Sequence, residues 1–170
     1  LQEVINLKQE KNYKEASTNL ESIATDNSDN IDVILEIADC YMQMGKFDTA
    51  LDFLANLSPQ ILNNETIRQL KSTIELAQTE PVDDTNISNL KEKIEENPSD
   101  HQSIIDLSLY YNSVGEKSLA ADLLIKSIHI DREWNEKASQ TQLLKFFEAW
   151  GFTDPVTVEK RKDLSAILFS

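Results

Sequence analysis

Residues 34–54 read ILEIADCYMQMGKFDTALDFL, and this stretch decides the fold. Its large apolar residues recur every three or four positions, which is the spacing of one face of an α-helix. Gly45 interrupts the pattern where a first helix must stop, because glycine tolerates the left-handed conformation found just after helices. Ala38 and Ala50 flank this glycine, and such small side chains let two antiparallel helices cross closely. The stretch therefore predicts a helical hairpin, packed through Ile34, Ile37, Ala38, Tyr41, Phe47, Ala50 and Leu54.

The same pattern occurs elsewhere in the chain. Ala16 precedes Ala50 by 34 residues, and Ala120 follows Ala50 by 70, which is two periods plus two residues. A 34-residue period resembles the tetratricopeptide repeat (TPR). That resemblance implies an all-α fold: a TPR-like right-handed superhelix of about four helical hairpins, the third irregular, followed by a C-terminal helical hairpin. The two further copies are Tyr13, Ala16 and Leu20, and then Ile104, Leu107, Ser108, Tyr111, Gly115, Ala120 and Leu124.

The middle of this helical-repeat domain is less regular. Residues 62–79 are predicted to form a helix, and residues 80–85 then break its periodicity with a proline and two adjacent aspartates. We expect an acidic linker there, either a solvated loop or a docking strip. The first repeats then occupy residues 1–79, the later repeats residues 86–136, and a C-terminal helical cap residues 137–170.

Composition limits the classes of partner. The formal net charge of −14 argues against nucleic acid and against an anionic membrane surface, since both attract basic proteins. Cys40 is the one cysteine of the sequence, so no internal disulfide can form, and we expect its thiol to be a small core residue. A reducing, cytoplasmic setting fits this cysteine content. The chain opens at Leu1 within an amphipathic pattern, so we expect it to be part of a longer protein.

The residues do not suggest catalysis. His101 and His129 are too far apart for a helical metal pair, and no cysteine cluster accompanies them. Phosphate-binding, dinucleotide-binding and nucleophile-elbow motifs are absent from the sequence. The many carboxylates fall on polar helix faces. We therefore predict a protein that is not an enzyme and needs no metal or cofactor.

A protein-binding groove is the functional alternative. In a TPR superhelix the first helix of each hairpin lines a concave groove, and the repeat register assigns to it Leu35, Asp39 and Met42, then Ile105 and Leu109. Apolar side chains there, including an adaptable methionine, suit varied apolar partners. The competing interpretation is that they pack on a neighbouring helix. These residues do not resemble the clamp with which some TPR domains grip a C-terminal carboxylate, because Leu35 and Asp39 stand where that clamp needs a lysine and an asparagine.

The end of the chain adds a more specific resemblance. Residues 137–169 contain a helix pattern that ends at Gly151, then a short acidic turn, a basic pair and a final apolar run. The basic pair and the apolar run are formed by Arg161, Lys162, Leu164, Leu168 and Phe169. This tail, together with the irregular third repeat, resembles the bacterial chaperedoxins, the YbbN-like thioredoxin–TPR co-chaperones. Lys162 stands where those relatives have a second arginine, so a contact that needs a guanidinium fork there is in doubt.

The resemblance implies several functional properties. A thioredoxin-like domain would precede this chain and carry the redox residues. The whole protein would be cytoplasmic, would hold unfolded client proteins without ATP, and would deliver them to a chaperonin. The alternative function is a structural TPR scaffold for one fixed partner or for self-association, without holding activity.

The last predicted helix, from about Pro155 to Leu168, has its own charge argument for docking. Residues 153–170 contain three acidic and three basic residues, so this segment is neutral within a strongly acidic chain. Leu164 and Leu168 are four residues apart and share one helical face. Either the whole apolar stripe packs on the preceding helix, or Phe169 and one leucine project outwards to a partner.

Overall fold

The computed structural model describes residues 6–8, 10–26, 29–78 and 84–169, and all regular structure within these ranges is α-helical. The chain forms two units, residues 1–78 and residues 79–170. After a helical segment at residues 6–8, the first unit contains α1 (Tyr13–Asp26), α2 (Ile31–Gln43), α3 (Phe47–Ala55), α4 (Pro59–Leu62) and α5 (Glu65–Ala77). The second unit contains α6 (Asp84–Glu96), α7 (His101–Ser113), α8 (Lys117–Ile130), α9 (Trp134–Trp150) and α10 (Pro155–Leu168).

The hairpin predicted from residues 34–54 is formed by α2 and α3. Asn30 starts α2, because its side-chain oxygen accepts from the backbone N–H groups of Asp32 and Val33. Gly45 ends the turn with φ +68°, in the left-handed region where a Cβ would cause strain. Ala38 and Ala50 are fully buried in one core cluster, as the small-residue crossing requires.

The second unit repeats this design in α7 and α8. Gly115 has φ +83° between the two helices. Ser108 and Ala120 are fully buried, and Leu124 lies beside them in the helical register with no exposed surface. The predicted all-helical fold and its TPR-type hairpins are therefore confirmed.

The middle of the chain differs from the predicted boundaries. The helix expected over residues 62–79 is two helices, since Asn64 accepts from the N–H of Thr66 and starts α5 as a separate element. Likewise α6 begins at Asp84, before the expected position, because the last two residues of the acidic segment, Asp84 and Thr85, already adopt helical geometry. The remainder of the predicted linker, residues 80–83, lies outside the described residues.

Each unit has its own hydrophobic interior. In the first unit, α1 and α2 enclose one cluster and α2, α3 and α5 enclose another. Cys40 is fully buried in the first of these clusters, and this burial raises the pKa of its thiol, which disfavours the reactive thiolate. In the second unit, one core cluster joins α6 to α7, and further buried apolar residues lie on α8, α9 and α10.

The last two helices pack in a way that the sequence did not predict. Asn135, Glu136 and Lys137 all have positive φ, so the first turn of α9 is left-handed and its regular helix begins after them. The predicted extent of α10 is confirmed. All or part of its apolar stripe was predicted to pack against α9, but the main contact of α10 is with α8.

Candidate protein-binding surfaces

The start of α10 is fixed by a polar junction in the second unit. Asp154 accepts from the N–H groups of Val156 and Thr157, and from Lys117 Nζ at 2.6 Å. Burial tends to raise the pKa of the Asp154 carboxyl, but these hydrogen bonds outweigh it and the pKa is lowered. Lys117 Nζ also lies 5.7 Å from the centre of the Trp150 ring, so one lysine joins the beginning of α8 to the end of α9 and the start of α10.

One face of α10 is buried. Thr157, Lys160 and Leu164 recur at three- and four-residue spacing, and each has less than a tenth of its surface exposed. Lys160 Nζ pairs with Asp122 of α8 and with Glu159 of its own helix. The hydrogen bond to Asp122 raises the pKa of Lys160 above its usual range, so the amine stays charged.

The exposed side of α10 carries apolar and cationic side chains, and also the carboxylates of Glu159 and Asp163, which pair with Lys160. Phe169 is 87% exposed, Val158 is 43% exposed, and Arg161 and Lys162 are also exposed. The Arg161 guanidinium lies 5.1 Å from the centre of the Phe152 ring. We call Val158, Arg161, Lys162 and Phe169 the docking face.

The predicted docking residues are thus divided between two faces. Arg161, Lys162 and Phe169 lie on the docking face, whereas Leu164 is only 6% exposed and Leu168 is half-buried. Val158 was missed from the sequence. The signal that could have found it is its spacing of eleven residues from Phe169, which is close to three whole helical turns.

In the first unit, the predicted groove residues differ in accessibility. Leu35 is half-buried. Asp39 pairs with Lys8 Nζ at 2.6 Å and accepts a hydrogen bond from Gln43. Met42 packs against the core cluster of α2, α3 and α5. Met42 is half-buried like Leu35, so both apolar side chains of this set keep some exposed surface.

In the second unit, the predicted groove residues are both on α7. Ile105 is 9% exposed, so its side chain belongs to the interior. Leu109 is half-buried, one turn further along the helix.

A buried polar chain links three helices of the second unit. His101 Nδ1 lies 2.6 Å from Ser127 Oγ, which lies 2.7 Å from Ser139 Oγ. All three side chains are buried, and the His101 ring packs at 5.0 Å against the Trp134 ring. These contacts give each buried polar side chain a hydrogen-bond partner in place of water, as buried polar groups ordinarily require. The sequence predicts that His101 is an ordinary histidine, but it does not predict the contacts of His101 with Ser127 and of Ser127 with Ser139.

Within the described ranges, no three histidine, cysteine, aspartate or glutamate side chains converge as metal ligands. None of the helices described is both long and apolar enough to cross a bilayer.

Antiparallel helical hairpins, with glycine turns and small residues at the helix crossings, define a helical-repeat protein. The chain belongs to the tetratricopeptide repeat family: one model of that repeat matches residues 80–169, and a second matches residues 7–74. Such repeats mediate protein–protein interactions and generally act as non-enzymatic modules.

Comparisons with individual proteins are less specific. No curated protein sequence is a significant match to the chain. Similar solved structures include a domain of protein VP0806, of unknown function, from Vibrio parahaemolyticus RIMD 2210633. It is 22% identical, with a TM-score of 0.45 over 98% of this chain and 96% of that one. Two crystal structures of MamA are each 17% identical, with TM-scores of 0.41 over 96% of this chain and 93% or 87% of theirs.

Proposed function

We propose that this chain is the protein-binding part of a cytoplasmic co-chaperone that holds unfolded client proteins and docks on a chaperonin. The observation that supports docking most directly is the exposure of Phe169 on the docking face, which also carries two cations. Phe169 is 87% exposed, so a partner that buries this aromatic side chain lowers the free energy of the complex. The resemblance of residues 137–169 to the chaperedoxin tail supplies the identity of the proposed partner.

The charge of the docking face fits the same proposal. Arg161 and Lys162 project from a chain whose net charge is −14, so this face can approach an acidic partner that the rest of the chain would repel. The buried face of α10 keeps the helix attached to α8 through Lys160, so a partner could engage the open face without detaching it.

Client holding is assigned to separate positions in the two units. Leu35 and Met42 in the first unit and Leu109 in the second are the half-buried apolar residues of the predicted groove. We assign client holding first to Leu35 and Leu109. Met42 also packs against a core cluster, Asp39 is paired with Lys8, and Ile105 is buried.

Docking is tested by chaperonin capture with paired variants. Phe169→Ser combined with Lys162→Glu should reduce capture at least ten-fold, because it removes the apolar anchor and reverses one charge. Val114→Ser combined with Lys14→Glu is the matched control, since both residues are exposed and lie outside α10. Equal capture by both double variants would exclude the docking face. Capture of a single other protein, with no chaperonin bound, would favour the scaffold function instead.

A further inference from the structure

A cavity of about 300 Å³ opens in the second unit between α6, α7 and α8. Its floor is apolar and is formed by Leu107, Tyr111, Leu119 and Leu123. Leu119 is 46% exposed, so the floor can be reached from solvent. The volume is at the small end of the range for ligand pockets, about 300–1,000 Å³, which suits one large apolar side chain better than a cofactor or a long acyl chain.

The rim of this cavity is cationic. Lys91 and Lys126 contribute amines to it, and Asp122 contributes a carboxylate. Lys160 Nζ lies 2.7 Å from that carboxylate but also pairs with Glu159 and Asp163, so Asp122 offsets part of the positive charge of Lys91 and Lys126. Lys91 Nζ lies 5.8 Å from the centre of the Tyr111 ring, and no carboxylate of the described ranges pairs with Lys91 or Lys126. Two lysines that no described carboxylate pairs with therefore border an apolar cavity in a chain of net charge −14.

We propose that this cavity binds an acidic–apolar peptide segment of a partner protein. A large apolar side chain of the peptide enters the leucine-lined floor, and carboxylates next to it in the peptide meet Lys91 and Lys126. Burial of the apolar side chain supplies affinity, and the two cations select against basic peptides. Between these cations the peptide escapes the repulsion that the acidic surface exerts elsewhere.

This proposal rests on the protein-binding role of the repeat family and goes beyond the proposed function. It needs neither client holding nor the docking face, and it assigns a different set of residues. If the peptide does not bind this cavity, the proposal of chaperonin docking still stands. If variants of the docking face lose chaperonin binding, peptide binding by this cavity should be unchanged.

The probe is a fluorescein-labelled peptide of sequence Ser-Asp-Asp-Leu-Phe-Asp-Asp-Ser, titrated with the full chain and followed by fluorescence anisotropy. One control peptide replaces Leu-Phe by Ser-Ser, and a second replaces the four aspartates by lysines. Lys91→Glu combined with Lys126→Glu reverses the rim charge. Lys14→Glu combined with Lys93→Glu makes the same change in net charge at exposed lysines that do not line the cavity.

We expect saturable binding of the probe, and at least ten-fold weaker binding of both control peptides. The rim variant should weaken probe binding at least ten-fold and its charge-matched control less than two-fold. Leu119→Ser, which alters a partly exposed floor residue and should leave the thermal midpoint nearly unchanged, should also weaken binding. Equal binding by the rim variant and its control would overturn the proposal. It would also be overturned if decanoate bound with the same dependence on Leu119 and the lysines while the peptide did not.

Discussion

Lys160 Nζ lies 2.7 Å from Asp122 Oδ1, and this ion pair joins α10 to α8. The Lys160 side chain is 9% exposed, whereas that of Asp122 is 52% exposed. The Lys160 side chain therefore lies between α10 and α8, and its charge is not part of the docking face. The pair sets which side of α10 remains available to a partner.

Lys160→Met should destabilise the chain by about 1–3 kcal/mol, because it removes charged hydrogen bonds while keeping most of the side-chain volume. Lys162→Met, two residues away on the exposed face, should change stability by no more than about 0.5 kcal/mol. Urea denaturation of both variants measures the difference. Equal midpoints would show that the ion pair adds nothing to the attachment of α10.

Asp154→Asn should lower stability by about 1 kcal/mol at pH 7, because it weakens the helix cap and removes the negative charge facing Lys117. The folded-state pKa of Asp154 is lowered, so its stabilising effect is complete above the unfolded-state pKa and is lost as pH falls through the folded-state pKa. The gap between wild type and variant should therefore narrow below about pH 4. Urea midpoints at pH 7 and in acid provide the test, and a gap independent of pH would contradict this account.

Gly115→Val should destabilise the second unit by about 1–3 kcal/mol, because Gly115 has φ +83° and a β-branched residue is strained there. An added Cβ would meet no atom within 4 Å, so the cost is conformational rather than steric crowding by neighbours. Gly115→Asn is the matched control and should cost less, since asparagine tolerates left-handed backbone. Thermal melts that rank the two variants equally would rule out backbone strain as the cause.

Ser127→Ala should cost about 1–3 kcal/mol, because Ser127 lies between His101 and Ser139 and its loss leaves buried polar atoms without partners. Ser118→Ala, at an exposed position on the same helix, should be nearly neutral. Urea denaturation compares them. A neutral Ser127 variant would mean that the histidine finds another partner.

Leu35→Glu combined with Leu109→Glu should weaken protection of a heat-denatured client while preserving helicity, since burying a charge against an apolar client is costly. Asp39→Asn offers a comparison at a groove position whose side chain is paired with Lys8. Light scattering of the client, with circular dichroism of each variant, measures both effects. Undiminished protection by the double glutamate variant would place client binding elsewhere.

The sequence by itself determined the helical hairpins. Turn glycines and alanines at the helix crossings were sufficient to predict these hairpins, because turn conformation and close helix crossing depend on local residue type. These residues are Gly45, Gly115, Ala38, Ala50 and Ala120. The extent of α10 followed as well, since Asp154 and Pro155 are a local start signal for a helix.

Only the tertiary structure decided which face of each helix meets solvent. The sequence placed Leu164 with Phe169 as docking residues, but packing of α10 on α8 buries the leucine and exposes Val158 instead. In the sequence, Lys160 does not differ from the two basic residues that follow it. Only the fold places Asp122, 38 positions earlier, within ion-pair distance of Lys160. The cavity of Lys91 and Lys126 likewise combines residues from separate helices. Helical periodicity defines a stripe along a helix, but the neighbour that covers the stripe is set by contacts between residues far apart in sequence.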